Sequence, residues 1–75
     1  MDKDFILNIV EKNINHKVQD YDEDLISIGM DSLNMINIIV DIEDALKIRI
    51  PDSMLLEDNF KTLNNIFQSI QKITS

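Results

Sequence analysis

The stretch that decides the fold is residues 29–47, GMDSLNMINIIVDIEDALK. It begins with the chain's one glycine, which can form a sharp turn, and continues with Asp31, a residue type that caps helices. The apolar residues that follow recur at the three- and four-residue spacing of one helix face. We therefore predict a long helix from Ser32 to about Lys47, with Asp31 as its N-cap.

Ser32 lies in the first turn of this predicted helix. Backbone N–H groups there lack helical partners and the helix dipole is positive, so an exposed hydroxyl would stand where a phosphate is favoured. On local grounds alone, Asp-Ser before an apolar run is also an ordinary capping sequence. His16 is the only histidine and there is no cysteine, so no triad can be assigned to Ser32. We interpret the serine as the substrate of another enzyme, with no catalytic residue in this chain, and we expect His16 on the surface.

The rest of the chain also follows a helical period. One Gly and one Pro leave little room for strand turns. The pattern predicts a first helix over about residues 3–13, a short helical turn from Pro51 to about Glu57, and a last helix with Thr62 as N-cap. Residues 14–31 form an unusually long connection. We predict an all-α fold over residues 1–75, one domain, with three principal helices and one short helix.

Aliphatic side chains must fill the interior of this domain, because aromatic residues are few. We expect the long connection to be fixed to the core by Ile14, Val18, Leu25 and Ile28. The other expected core residues are Phe5, Ile6, Ile9 and Val10 in the first helix, Ile39, Ile42 and Leu46 in the second, and Ile50, Met54, Leu55, Leu56, Leu63, Ile66, Phe67, Ile70 and Ile73 beyond it. Most of these side chains are branched and stiff, so we expect no preformed cavity among them.

The net charge of −7 limits the partners of the chain. Binding to nucleic acid or to an anionic membrane needs clustered Lys and Arg, so neither is expected. A basic protein surface is the natural complement, although acidity also keeps a small domain soluble. The acidic N-terminus and the short apolar runs predict neither a signal peptide nor a membrane span, and we expect a cytoplasmic monomer.

Three aspartates alternate before the serine in the manner of a calcium loop: Asp20, Asp22 and Asp24. However, Leu25 occupies the sixth position, where an EF-hand needs glycine, and Asp31 replaces the bidentate glutamate at the twelfth. We therefore predict no specific metal site. The alternative is loose divalent binding that relieves repulsion between the carboxylates.

A longer pattern surrounds Ser32 and continues over most of the chain. Its residues are Asp22, Leu25, Ile28-Gly29-Met30-Asp31-Ser32-Leu33, Ile36, Ile39, Ile42-Glu43, Leu46 and Ile48-Arg49-Ile50-Pro51-Asp52. The pattern resembles the phosphopantetheine-attachment signature of the acyl and peptidyl carrier protein family, whose architecture is a small helical bundle. The resemblance implies that a phosphopantetheinyl transferase attaches 4′-phosphopantetheine from coenzyme A to Ser32. It also implies that the thiol of this arm carries acyl groups as thioesters.

The resemblance further implies that the second helix binds acyl-loading and acyl-processing enzymes through their basic docking patches. The residues implied are Asp31, Leu33, Ile36, Val40, Glu43 and Asp44. The three apolar ones could instead belong to the core. Asn34 and Asn37 stand where fatty-acid carriers usually have acids, and the segment after Pro51 looks slightly longer than in that type. Both departures argue against a housekeeping fatty-acid role and favour a discrete carrier of a specialised acyl, polyketide or nonribosomal peptide pathway, of which we expect an acyl or polyketide-type one.

Two alternatives remain at this stage. The first is an aminoacyl or peptidyl carrier of a nonribosomal peptide pathway, although such carriers more often have Gly at the position of Asp31. The second is a helical adaptor that binds a basic partner and carries no prosthetic group. For an acyl carrier with so compact a core, we expect a short cargo to stay outside the bundle, near Leu33 and Ile36.

Overall fold

A computed structural model describes residues 2–74 of the chain. It contains three α-helices, α1 (Lys3–Ile14), α2 (Ser32–Leu46) and α3 (Leu63–Thr74). The connections contain three single 3₁₀ turns, at Ile26–Ile28, Asp52–Met54 and Glu57–Asn59. The prediction of an all-α bundle with three principal helices is confirmed, whereas the predicted short helix is a pair of 3₁₀ turns. No helix within residues 2–74 combines the length and apolarity needed to cross a membrane.

Local capping explains where the helices begin and end. The Asp2 side chain accepts a hydrogen bond from the backbone N–H of Phe5 (3.0 Å) at the start of α1. At the other end, Asn15 caps the helix in the left-handed conformation. The Thr62 hydroxyl accepts from the backbone N–H of Asn65 (3.0 Å) at the start of α3. Such side-chain acceptors satisfy N–H groups that a helix cannot pair by itself. The predicted Thr62 cap is confirmed.

The core lies between the three helices, and aliphatic side chains dominate it as expected. Its fully packed residues are Ile6, Val10, Leu25, Met30, Ile38, Ile39, Ile42, Ile50, Phe60, Leu63, Ile66 and Ile70. Leu46, Phe67 and Ile73 are only half-buried against this cluster.

Two details of the predicted core are wrong. The expected burial of Leu55 and Leu56 is not observed, since they are 36% and 58% exposed. Each lies beside a 3₁₀ turn of three residues, which is too short to form a continuous buried face. The sequence analysis also missed Met30, Ile38 and Phe60, which are buried. On α2, Ile38 and Ile42 are fully buried, the predicted Ile39 is buried as well, and Leu46 is only partly buried.

The long connection between α1 and α2 is fixed to the segment that begins α3. The buried residue Leu25 donates its backbone N–H to the carbonyl of Lys61 (2.9 Å), and Asn64 donates its own to the carbonyl of Tyr21 (3.0 Å). His16 is exposed, as predicted. The expected anchoring is confirmed: Leu25 is buried, and partly buried residues that pack on the core are Ile14, Val18 and Ile28.

Candidate functional site

A tight turn delivers the chain into α2. The backbone N–H of Gly29 donates to Ile26 O (3.2 Å) and that of Met30 donates to Leu25 O (3.0 Å), which is the paired pattern of a Schellman motif. Gly29 has φ +116°, a conformation that side chains with a Cβ rarely adopt. The space beside its Cα is open, so the backbone conformation and not crowding requires glycine here. Met30 is buried, and the turn therefore fixes the point from which α2 starts.

The first turn of α2 is closed by a reciprocal pair of hydrogen bonds. Asp31 Oδ1 accepts from the backbone N–H of Asn34 (2.8 Å), while Asn34 Oδ1 accepts from the backbone N–H of Asp31 (3.1 Å). The predicted Asp31 N-cap is confirmed, as part of a capping box. Ser32 is exposed, and no hydrogen bond among residues 2–74 uses its hydroxyl or the backbone N–H groups of Ser32 and Leu33. A free hydroxyl thus stands beside two free donors at the positive end of a helix.

A groove of about 350 Å³ opens next to this hydroxyl. Three apolar side chains and two carboxylates line it together with the serine: Ile26, Met30, Met35, Asp31, Glu57 and Ser32. The groove lies between the 3₁₀ turn at Ile26–Ile28, the start of α2 and the 3₁₀ turn at Glu57–Asn59. An arm attached to Ser32 would therefore meet a largely apolar wall with acidic groups beside it.

The predicted docking residues of α2 fall into two groups. Leu33, Ile36 and Val40 are 66%, 53% and 45% exposed, so the alternative that they belong to the core is wrong. Asp44 is exposed as well, and no hydrogen bond or ion pair among the described residues involves it. With Asp31 at the start of the helix, these side chains lie at the surface of α2.

Glu43 differs from its neighbour because its carboxylate is used within the chain. It is half-buried, and Oε2 accepts from the backbone N–H of the buried residue Ile50 (2.8 Å). Glu43 and Asp44 both lie in the last turn of α2, where the helix dipole disfavours negative charge. For Glu43, the hydrogen bond from Ile50 offsets this unfavourable interaction with the dipole, whereas no described contact offsets it for Asp44.

The alternating aspartates before Ser32 organise the long connection. Asp20 accepts from the backbone N–H of Asp22 (2.8 Å), and Asp24 accepts from that of Ile26 (2.9 Å). Asp22 in turn accepts from the side-chain amide of Asn64 on α3 (2.7 Å). Within residues 2–74, no three His, Cys, Asp or Glu side chains are grouped as they would be around a metal ion. The carboxylates serve as Asx-type acceptors in the connection and tie it to α3.

Comparison with known proteins gives the class to which this fold and turn belong. The family model described as "Phosphopantetheine attachment site" matches residues 4–70. An acyl carrier protein homolog of Ureaplasma parvum is 36% identical over 72 residues, which cover 93% of this chain and 94% of the relative. D-alanyl carrier proteins of Streptococcus equi subsp. zooepidemicus and Streptococcus sanguinis are 32% and 31% identical, covering 95% and 91% of this chain and 92% and 89% of the relatives.

The chain belongs to the phosphopantetheine-binding carrier protein family. Members of this family are non-catalytic tethering proteins with a covalently attached 4′-phosphopantetheine, which supplies a thiol for thioester bonds. The first turn of α2 fits the group, since the N–H groups of Ser32 and Leu33 are available to phosphate oxygens. The apolar wall formed by Ile26, Met30 and Met35 suits the alkyl parts of the arm.

Proposed function

We propose that Ser32 is the attachment residue for 4′-phosphopantetheine and that the chain presents a short acyl group to partner enzymes as a thioester. The observation that carries this proposal is the Ser32 hydroxyl itself, exposed and unengaged in the capped first turn of α2. A chain of this family needs such a hydroxyl within reach of a transferase.

Ser32 contributes the nucleophile, and the chain contributes its placement. The bond that forms joins Ser32 Oγ to the phosphorus next to pantetheine in coenzyme A, and the bond to the adenosine bisphosphate leaving group breaks. The proton of the hydroxyl passes to a base of the transferase, because no side chain within residues 2–74 is hydrogen-bonded to Ser32 and could act as that base. In phosphoryl transfer, positioning and electrostatics supply most of the catalysis. The two free N–H groups at the start of α2 add favourable charge close to the new phosphodiester.

The partner enzymes would dock on the exposed surface of α2. Leu33, Ile36 and Val40 supply the apolar contact area, with Asp31, Glu43 and Asp44 as acidic contacts for basic patches. The placement of Asp44 supports this role: its charge is unfavourable for the helix and satisfies nothing within the described residues. We propose that its use is intermolecular, for the transferase and for acyl-handling enzymes.

The buried core favours a short cargo that stays outside. Ile39, Ile42 and Ile66 belong to this core, and a sequestered acyl chain would have to displace such side chains. That displacement would cost a few kcal/mol, as large-to-small core substitutions do. Burial of a CH₂ group gains about 0.8 kcal/mol, so a short or polar acyl group buries too little apolar surface to offset this cost. We therefore propose that it rests along α2 near Leu33 and Ile36, and that the pathway is a specialised acyl or polyketide-type one.

An aminoacyl cargo is the second candidate. It is favoured by the streptococcal relatives, whose names describe them as D-alanyl carrier proteins. Incubation of the modified protein with acyl-adenylate-forming and aminoacyl-adenylate-forming enzymes, followed by intact-mass measurement, separates the two. Loading only by the second type of enzyme would replace the acyl proposal with the aminoacyl one.

The attachment itself is tested by intact mass after incubation with coenzyme A and a broad-specificity phosphopantetheinyl transferase. We expect the wild type to gain one phosphopantetheine and Ser32→Ala to gain none. Melting of Ser32→Ala should change little, by about 0.5 kcal/mol or less in unfolding free energy, because the hydroxyl is exposed and unbonded. Ser53→Ala, which also removes an exposed serine, is the matched control and should be modified normally. Modification of Ser32→Ala would refute the assignment, and a wild type that gains no group would favour the unmodified adaptor.

A further inference from the structure

We propose that Asn34 is a positioning residue for the modification of Ser32, because its side-chain amide ties the first turn of α2 to the end of α1. This proposal rests on Ser32 being the attachment residue. Asn34 does not reach the hydroxyl through any described hydrogen bond, so its action is through the backbone that carries Ser32.

Both ends of the Asn34 amide are engaged. The oxygen Oδ1 accepts from the backbone N–H of Asp31 (3.1 Å), on the N-terminal side of Ser32. The nitrogen Nδ2 donates to the backbone carbonyl of Asn13 (3.0 Å), in the last turn of α1. We call these two hydrogen bonds the Asn34 clamp. Ser32 lies between the two residues of the capping box, so the clamp fixes the turn that carries it relative to α1.

The end of α1 provides an unpaired backbone carbonyl for this contact. The carbonyl of Asn13 is one of the last four of the helix, which have no N–H partner within it. The side chain of the same residue donates to Asp41 Oδ2 (2.9 Å) and to Ile9 O (2.9 Å). Asp41 lies seven residues beyond Asn34 on α2, about 10 Å along the helix. Two residues of α2, Asn34 and Asp41, thus hold the single residue Asn13 of α1, and this fixes the end of α1 along α2.

An amide is required for the clamp, and a carboxylate of the same shape would not suffice. An aspartate at position 34 can still accept from the backbone N–H of Asp31, but it has no proton to donate to the Asn13 carbonyl. Two acceptors would then face each other. A glutamine retains both the donor and the acceptor and is a common residue at this position of a capping box.

The variant Asn34→Asp separates positioning from stability. It loses the donor to Asn13, but a negative charge in the first turn of a helix is favourable, so the two effects on melting oppose each other. Asn37→Asp is the matched control: it adds the same charge to α2 at an exposed side chain with no described hydrogen bond. Rates of modification by a broad-specificity transferase and coenzyme A are measured well below the melting temperature of each variant.

We expect kcat for the modification of Asn34→Asp to fall about 3- to 10-fold with KM changed less than about 2-fold, since binding is retained while the hydroxyl is placed less accurately. Asn37→Asp should keep at least the wild-type kcat, since an added acidic charge on α2 favours a basic docking surface. Asn34→Gln should recover at least half of the kcat lost in Asn34→Asp. A spectroscopic signature accompanies the rates. Modification of Ser32 should shift the amide resonance of Ile14, which shares the Asn13 peptide group, in the wild type and not in Asn34→Asp.

The outcomes distinguish this inference from the proposal on which it rests. A wild type that is never modified would refute the attachment at Ser32 and the clamp's role with it. A wild type and an Asn34→Asp variant modified with equal kcat would refute the clamp alone. An equal loss in Asn34→Asp and Asn37→Asp would assign the effect to charge and would also overturn the clamp.

Discussion

Reversing the charge of Glu43 should destabilise the fold, whereas the same change one residue later should not. In Glu43→Lys the backbone N–H of Ile50 loses its acceptor, in a site where Ile50 itself is buried. A hydrogen bond to a charged group contributes about 1.5–3 kcal/mol. A positive charge in the last turn of α2 returns about 0.3–1 kcal/mol through the helix dipole. We therefore expect a net loss of roughly 1–2 kcal/mol.

The melting temperature translates this loss into a measurable shift. Unfolding entropy scales with chain length, so 1 kcal/mol corresponds to about 6 °C for a chain of this size. Glu43→Lys should melt about 6–12 °C below the wild type, and Glu43→Gln, which keeps an acceptor oxygen, should lose less. Asp44→Lys should melt at the same temperature as the wild type or up to about 6 °C higher, because only the dipole contribution changes.

Thermal melts followed by circular dichroism at low and at high salt provide the assay. Salt screens the surface charge of Asp44 but has little effect on the shielded hydrogen bond of Glu43, so the difference between the two variants should persist at about 1 M salt. Equal melting of Glu43→Lys and Asp44→Lys would refute the reasoning, because it would mean that the contact with Ile50 contributes nothing. A difference that disappears in salt would assign it to charge alone.

Two further predictions concern partners and cargo. Asp44→Lys should lower the rate of modification by a transferase with a basic docking surface about 2- to 10-fold at low salt. The wild-type rate should fall toward that of the variant as salt rises. Rates that are equal and independent of salt would exclude acidic steering. Loading the modified protein with a short acyl group should shift amide resonances around Ser32, Leu33 and Ile36 and leave the melting temperature nearly unchanged. Shifts at Ile42 and Ile66 together with a strong rise in melting temperature would instead show that the acyl group is sequestered in the core.

The start of α2 was predictable because its signals are local. Gly29 and Asp31 determine the turn and the cap through neighbouring backbone atoms, and the apolar repeat after Ser32 identifies the helix. The exposure of Ser32 follows from the same few residues. These parts of the candidate site need no knowledge of how the helices pack.

The contacts that the sequence did not predict join residues far apart in the chain. Asn34 reaches Asn13 across 21 positions, and the bond from Ile50 to Glu43 depends on the path of the backbone after α2. Asparagine and glutamate have many possible partners, so their spacing alone selects none of these. The outward placement of Leu56 depends in the same way on 3₁₀ turns whose three residues carry no periodic signal.

The hydrogen bonds between the long connection and the start of α3 also affect the order of events during synthesis. Leu25 and Tyr21 are held by Lys61 and Asn64, so the segment leading to Ser32 is completed by residues made about 40 positions later. Local helices can form while the chain emerges, but contacts of this separation must wait for the later residues. The connection before Gly29 can therefore reach its final form only after residues 61–64 have been made, whereas the local turn and cap around Ser32 can form earlier. A transferase that also contacts this connection would modify chains that contain α3 in preference to chains that lack it.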